Sequence, residues 1–287
     1  MIVNPAARSA ARARDEAVRA FAVVGVPCDV RDTERPGHAG ELARALAAGY
    51  DAVFTLGGDG TAVEVIGALA HAGPPVGVLP GGTGNVLARA LKIPLRVFDA
   101  VPALLNGRET RIDIGRLGDG RHFIIGVGVG VDADMIAGAS AAMKRRFGFL
   151  AYFISGISAG IKLNRFRYRI TADGTVHEGE ALSVLVANLG SILGGLVTLG
   201  RQIREDDGIL HVCVFSPRNL PDAFRVFGRM LAGDVSGDRS VSYIAGRVIQ
   251  LETIPSRHAQ ADGELVGETP INIVVQPGAA RLLTPAR

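Results

Sequence analysis

The chain has 287 residues, 48% of them hydrophobic, enough for one large domain or two moderate ones with a real core. Its 31 Lys and Arg against 28 Asp and Glu leave a net charge of +3, too small an excess for the charge field of a nucleic-acid-binding protein. Two isolated cysteines, Cys28 and Cys213, support neither a disulfide framework nor a thiolate metal site; with no signal peptide after Met1 and no apolar run long enough to span a bilayer, a cytoplasmic protein is expected.

From residue 2 to about 106, short apolar strands at Ile2-Val3, Cys28 to Arg31, Ala52 to Leu56 and Val76 to Leu79 alternate with helical patterns. The helices are predicted at Ser9 to Val23, Glu41 to Ala48, Thr61 to Ala72 and Asn85 to Leu91. Such alternation predicts an α/β domain, a mainly parallel sheet with flanking helices, over 2–107. Ligands of these sheets gather at the carboxyl ends of the strands, where Asn4, Thr33 and the turns at 57–61 and 80–85 fall.

After Asn106-Gly107 the text turns strand-rich, with strands predicted at Ile112 to Leu117, Phe123 to Gly128, Phe166 to Thr171, Ala181 to Ala187, Leu210 to Phe215, Ser240 to Ala245, Arg247 to Ile254 and Ile271 to Val275. Helices are predicted at Phe147 to Ile161 and Leu220 to Leu231. A β-rich, sandwich-like second domain over 108–278 follows, while the closing stretch 279–287 can complete the first domain.

Gly57-Gly58-Asp59-Gly60-Thr61 lies between a strand and a helix, a place where bare N–H groups and the positive end of a helix suit phosphate. The Asp59 carboxylate inside it makes more sense with a divalent cation accompanying the ligand. Pro80-Gly81-Gly82-Thr83-Gly84-Asn85 repeats the strand, glycine turn and helix. Either turn alone is equally well a close helix–strand packing; the pair, with an Asp and two Thr hydroxyls, points to a metal-bound nucleotide, in neither a P-loop nor a dinucleotide spacing.

Farther on, Asp262-Gly263-Glu264 sets two carboxylates two residues apart, on one face if the backbone is extended, as a general base and its support; a plain hairpin turn explains the same residues. Glu205-Asp206-Asp207-Gly208 is another acidic turn that suits a hard cation, or a simple Asp-Gly turn. Arg165, Arg167 and Arg169 alternate along one strand, a solvated sheet face or, with Lys144 to Arg146, a contact for anionic lipid headgroups. None of the six histidines has metal-ligand spacing, and none is assigned a role.

In chain order, Asn4-Pro5, Gly57 to Thr61 with Glu64, Pro80 to Asn85, Asp113-Ile-Gly115, Gly126 to Asp132, Gly148 to Tyr152, Asn188, Gly194-Gly195, Asp207-Gly208 and Asp262-Gly-Glu264 resemble the diacylglycerol kinase catalytic-domain family, bacterial lipid kinases related to sphingosine and ceramide kinases. The resemblance implies an ATP- and Mg2+-dependent lipid kinase, its nucleotide cleft between the two domains and its lipid alcohol received by the β-rich one. By matching position, Asn4, Thr33, Gly57, Gly58, Asp59, Gly60, Thr61, Ala62, Val63, Glu64, Gly82, Thr83, Gly84 and Asn85 are expected at ATP, with Asp59 acting through Mg2+. Glu264 is expected to take the proton of the lipid hydroxyl, with Asp262 as its support or the alternative base, and Asp207 with the carbonyls of Arg204 and Ile209 to hold a structural Mg2+.

One basic strand without an anchor implies only brief peripheral contact with the inner membrane face, and a homodimer is left open. Gly81 stands where relatives often carry an aliphatic residue, a change expected to alter little beyond loop flexibility. Since the Gly-Gly-Asp-Gly turn is shared with NAD kinase, an NAD-kinase-like enzyme, or a catalytically silent lipid- or nucleotide-binding protein, is the alternative.

Overall fold

The computed structural model describes residues 1–7, 10–130, 164–192, 195–233 and 235–286. The helix expected at 147–161, the basic run at 144–146, the motif at 148–152, residues 131 and 132, and Gly194 lie outside the described residues. The chain divides into two compact units, one of Met1–Ile114, Leu193–Gly195 and Pro277–Arg287, the other of Gly115–Ile192 and Leu196–Gln276.

In the first unit, β1 (Ile2–Val3), β2 (Arg31–Asp32), β3 (Val53–Gly57) and β4 (Val76–Pro80) form a parallel sheet in the order β2-β1-β3-β4. The far end of β18 (Ile271–Thr284) adds a fifth parallel strand through Leu282 opposite Val76. Strands β3 and β4 are buried along their whole length, as continuous apolar runs covered on both faces should be. Helix α1 (Ala10–Val23) buries Ala13, Ala17, Ala20 and Phe21, a stripe at helical spacing, and Phe21 meets Phe54 of β3 edge to face at 4.9 Å. The remaining helices of this unit are α2 (His38–Leu46), α3 (Asp59–Ala68), α4 (Val86–Ala90) and α5 (Val97–Leu105).

Two local expectations are corrected. The second strand is Arg31–Asp32 and not Cys28 to Arg31, because β1 offers only Ile2 and Val3 as ladder partners. Helix α5 was not predicted; Pro102 inside it reads as a breaker, but burial of Val97, Ala100, Val101 and Leu104 outweighs one lost hydrogen bond.

The second unit is antiparallel and layered. One sheet runs β14 (Val241–Gly246), β13 (Leu210–Phe215), β10 (Ser183–Ala187), β7 (Gly126–Gly130), β16 (His258–Ala261), β17 (Glu264–Glu268). The other layer sets the start of β18 beside β15 (Val248–Ile254), then β8 (Phe166–Ala172), then β9 (Thr175–Ala181). Inward residues of both layers, among them Val127, Val129, Phe166, Ile170, Val184, Val212, Ile249 and Ile273, share one core, which makes this a β-sandwich. The change of unit falls inside β5 (Arg108–Leu117), after Ile114, and inside β18, after Gln276.

The arginine face of β8 is not basic. Arg169 lies opposite Glu178 on one side and Glu252 on the other, with an ion pair of 2.7 Å to Glu178, and Arg167 lies opposite Glu180. Neighbouring acidic strands neutralise it, so the anionic-lipid reading of 165–169 loses its charge argument. No described helix is long and apolar enough to cross a membrane.

Candidate functional site

The two glycine turns of the first unit are packed backbone against backbone. Gly81 N–H donates to Gly57 C=O at 3.0 Å. A Cβ on Gly57 would stand 2.7 Å from Thr61 Oγ1, one on Gly81 2.9 Å from Gly57 N, and one on Gly82 2.7 Å from Gly58 Cα. Gly81 is therefore a packing requirement in this chain, not the neutral change expected from the sequence. We expect Gly82→Ala to lower stability by about 1–3 kcal/mol, because the clash is with backbone that cannot rotate away; an unchanged thermal midpoint would refute this packing.

Side chains then lock the turns. Asn85, at φ 45°, accepts from Gly82 N–H and donates to Gly82 C=O, both at 2.9 Å, closing its own loop. Asp59, the first residue of α3, reaches across to accept from the N–H groups of Val86 (3.1 Å) and Leu87 (2.9 Å), the first turn of α4. One carboxylate thus caps one helix while sitting at the N-terminus of another. Asn4 Nδ2 donates to Thr61 Oγ1 at 3.3 Å, and Glu64 Oε1 accepts from Gly37 N–H at 3.0 Å, ahead of α2.

The structure thereby joins Asn4, Gly57 to Glu64 and Gly82 to Asn85 into one cluster. Thr33 follows β2, its N–H on Val3 C=O at 2.8 Å, while Thr83 and Gly84 are exposed at the tip of their turn and Ala62 is buried in α3. The first backbone bond of α3 is Ala62 N–H to Gly58 C=O, so the N–H groups of Asp59, Gly60 and Thr61 open the helix without an acceptor inside it. A cluster of N–H donors on a positive helix end suits the oxygens of a phosphate.

In the second unit the strand rule fails at Asp262. This residue has φ 48° and Gly263 has φ 92°, so they are the tip of the β16–β17 hairpin, and Asp262 and Glu264 do not share a face as extended residues do. Asp262 instead turns its carboxylate onto the N–H groups of Ile124 (2.7 Å), Ile125 (2.9 Å) and Gly126 (2.9 Å). It anchors the hairpin, and its use as the alternative base is displaced by those three donors. Glu264, opposite Ala261, is exposed, and its carboxylate accepts no hydrogen bond from a described residue.

Asp207 accepts from Ile209 N–H at 3.1 Å and lies 3.4 Å from Nε2 of His211, a histidine given no role from the sequence. An i, i+4 spacing running from a turn into a strand carries no periodic signal, so the sequence alone does not mark the pair. No three His, Cys, Asp or Glu converge among the described residues. Magnesium takes one or two carboxylates and fills its shell with phosphate and water. Two groups already address each candidate carboxylate, Val86 and Leu87 N–H at Asp59 and Ile209 N–H and His211 at Asp207, so a cation at either would use the remaining lone pairs of its oxygens.

Residues 1–117 match the family described as diacylglycerol kinase catalytic domain, and residues 126–284 match the one described as YegS C-terminal NAD kinase beta sandwich-like domain. A protein named diacylglycerol kinase from Staphylococcus saprophyticus is 29% identical over 256 residues, 88% of this chain and 83% of that protein. An uncharacterized Synechocystis protein is 27% identical over 237 residues, 81% of this chain but only 54% of that longer one. A crystal structure of a diacylglycerol kinase from Bacillus anthracis superposes with a TM-score of 0.82 at 27% identity, covering 99% of this chain and 95% of that one.

Proposed function

This chain belongs to the diacylglycerol kinase catalytic-domain family and is a lipid-kinase phosphotransferase, and we propose that it moves the γ-phosphoryl group of ATP to the hydroxyl of diacylglycerol or a related lipid alcohol. The observation that carries this reading is the pair of interlocked glycine turns with the open N-terminus of α3 beside them. In this reading Asn4, Thr33, Gly57 to Glu64 and Gly82 to Asn85 bind and orient the nucleotide. Asp59 holds the turns at a fixed spacing through Val86 and Leu87, so the donors need no rearrangement when phosphate arrives.

Glu264 is the base. An exposed carboxylate with no hydrogen-bond partner among the described residues is available to accept the proton of the attacking hydroxyl, and Asp262 positions it by fastening the hairpin to 124–126. Mg2+, when bound, supplies charge neutralisation at the phosphates. Asp207, with the carbonyls of Arg204 and Ile209, is the proposed second, structural cation site. The protein acts at the cytoplasmic side as a peripheral, not spanning, visitor to its lipid.

A second reading follows from the sandwich family's own description, which names NAD kinase. Purified protein with labelled ATP and Mg2+ decides between them when offered a total lipid extract and, separately, NAD. Label in a lipid product is expected; label in NAD with none in lipid would overturn the proposal.

A further inference from the structure

In the second unit the chain passes from one sheet to the other at Ile124 and Ile125. Strand β6 (His122–Phe123) sets Phe123 opposite Gly115 of β5, and β7 then begins at Gly126 between β10 and β16. Neither Ile124 nor Ile125 belongs to a ladder, yet Ile124 is buried and Ile125 half-buried. The N–H and C=O groups of such a crossover must find partners outside the sheets.

Two residues supply them. Ala187 of β10 lies opposite Gly126 and Ala261 of β16 opposite Val127, so the next residue of each strand, Asn188 and Asp262, meets the crossover from its two sides. The Asp262 carboxylate accepts from the N–H groups of Ile124, Ile125 and Gly126, and Asp262 N–H donates to Gly126 C=O at 3.1 Å. Asn188 Nδ2 donates to Ile124 C=O at 2.8 Å, and Asn188 N–H donates to Ile125 C=O at 3.1 Å. Every backbone polar group of 124–126 is thus held by one residue or the other. A carboxylate of the same shape at 188 would have no N–H to give Ile124.

Asn188 is 0% exposed, so whatever it contributes passes through what it holds. Asp262 can fix the hairpin only as firmly as 124–126 is itself fixed, and the Asn188 amide removes that freedom from the far side. Glu264 lies two residues beyond Asp262 in the same hairpin, whose tip is tied by Gly263 N–H to Gln260 Oε1 at 2.8 Å.

We propose that Asn188 is a positioning residue for Glu264, acting through the 124–126 crossover and Asp262 on the hairpin tip that carries the base. A reacting group held by a supporting layer of hydrogen bonds needs no rearrangement before the proton moves. The effect on turnover rests on Glu264 being the base; the link from Asn188 to the tip does not.

The test compares Asn188→Ala with wild type in hydrogen–deuterium exchange of the free protein and in steady-state kinetics. Exchange over 258–268 is expected to quicken by about tenfold or more, with that of β8 and β9 unchanged. Turnover should fall by about 10- to 10^2-fold at an unchanged KM for ATP, and this cost should largely vanish in the Glu264→Gln background, because the two residues act as one unit. Asn188→Ser, which leaves room for a water beside Ile124, provides the same readouts if the Ala variant folds poorly. Unchanged exchange at the tip, or faster exchange throughout the unit, would overturn the proposal. So would an equal cost in both backgrounds, or full turnover by Asn188→Ala when Glu264→Gln has lost it. Faster exchange confined to the hairpin, in a protein whose turnover Glu264→Gln leaves intact, would uphold the link and remove Glu264 as the base.

Discussion

Glu264→Gln is expected to lower turnover by about 10^2- to 10^4-fold, the range a positioned general base supplies, with no loss of ATP binding. Gln keeps the size of the side chain and removes its ability to take a proton. Because Glu264 is exposed and its carboxylate makes no hydrogen bond to a described residue, the change should leave stability within about 0.5 kcal/mol of wild type. Nucleotide affinity should hold as well, since the change alters none of the residues proposed to bind the nucleotide. Steady-state kinetics beside ATP titration and thermal unfolding make the check. Unchanged turnover would remove Glu264 as base, and Asp262 would be a poor successor because its oxygens already accept from Ile124, Ile125 and Gly126.

Asp59→Ala is expected to cost both stability and activity. Two N–H groups at the start of α4 lose their acceptor, which costs about 1–3 kcal/mol if water does not replace it. The spacing between the turns then loosens, and turnover should fall by on the order of 10^2-fold or more, the size of effect seen when preorganised phosphate donors are disturbed. Asp59→Asn separates the two duties. Its amide keeps one acceptor for the α4 turn but gives up the charge, so a pure cap predicts a lower thermal midpoint with an unchanged Mg2+ requirement. A carboxylate that also meets the cation predicts that the Mg2+ concentration for half-maximal activity rises about tenfold or more. An Asn variant matching wild type in midpoint, turnover and Mg2+ requirement would sink both roles.

Most of the architecture was legible because it depends on periodicity and local turn chemistry. Apart from β2, the alternation of apolar runs with helical stripes up to Leu91, and the strand Leu210 to Phe215, stand close to where composition puts them. Helix α6 spans the predicted Leu220 to Leu231, marked by Asn219 before it and Pro221 at its start. What escaped was set by partners distant in the chain. Helix α5 needed its apolar face buried to tolerate Pro102, and β2 needed β1 to decide which two residues pair. The arginine strand looked basic until β9 and β15 placed Glu178, Glu180 and Glu252 beside it.

The candidate site divides in the same way. The residue types and spacing of Gly57 to Thr61 and Pro80 to Asn85 together point to phosphate, and with Asp262 to Glu264 and the other ordered motifs they resemble the family, because bare backbone at a strand end and the presence of a carboxylate are properties of the residues themselves. Only the tertiary structure decided what each carboxylate touches. Asp59 spans to another helix, Asp262 folds back on 124–126 because its backbone is left-handed, and Asp222 turns inward while Phe224 faces out. A side chain's reactivity follows from its hydrogen-bond donors and its exposure to water, and both are supplied by residues tens to more than a hundred positions away.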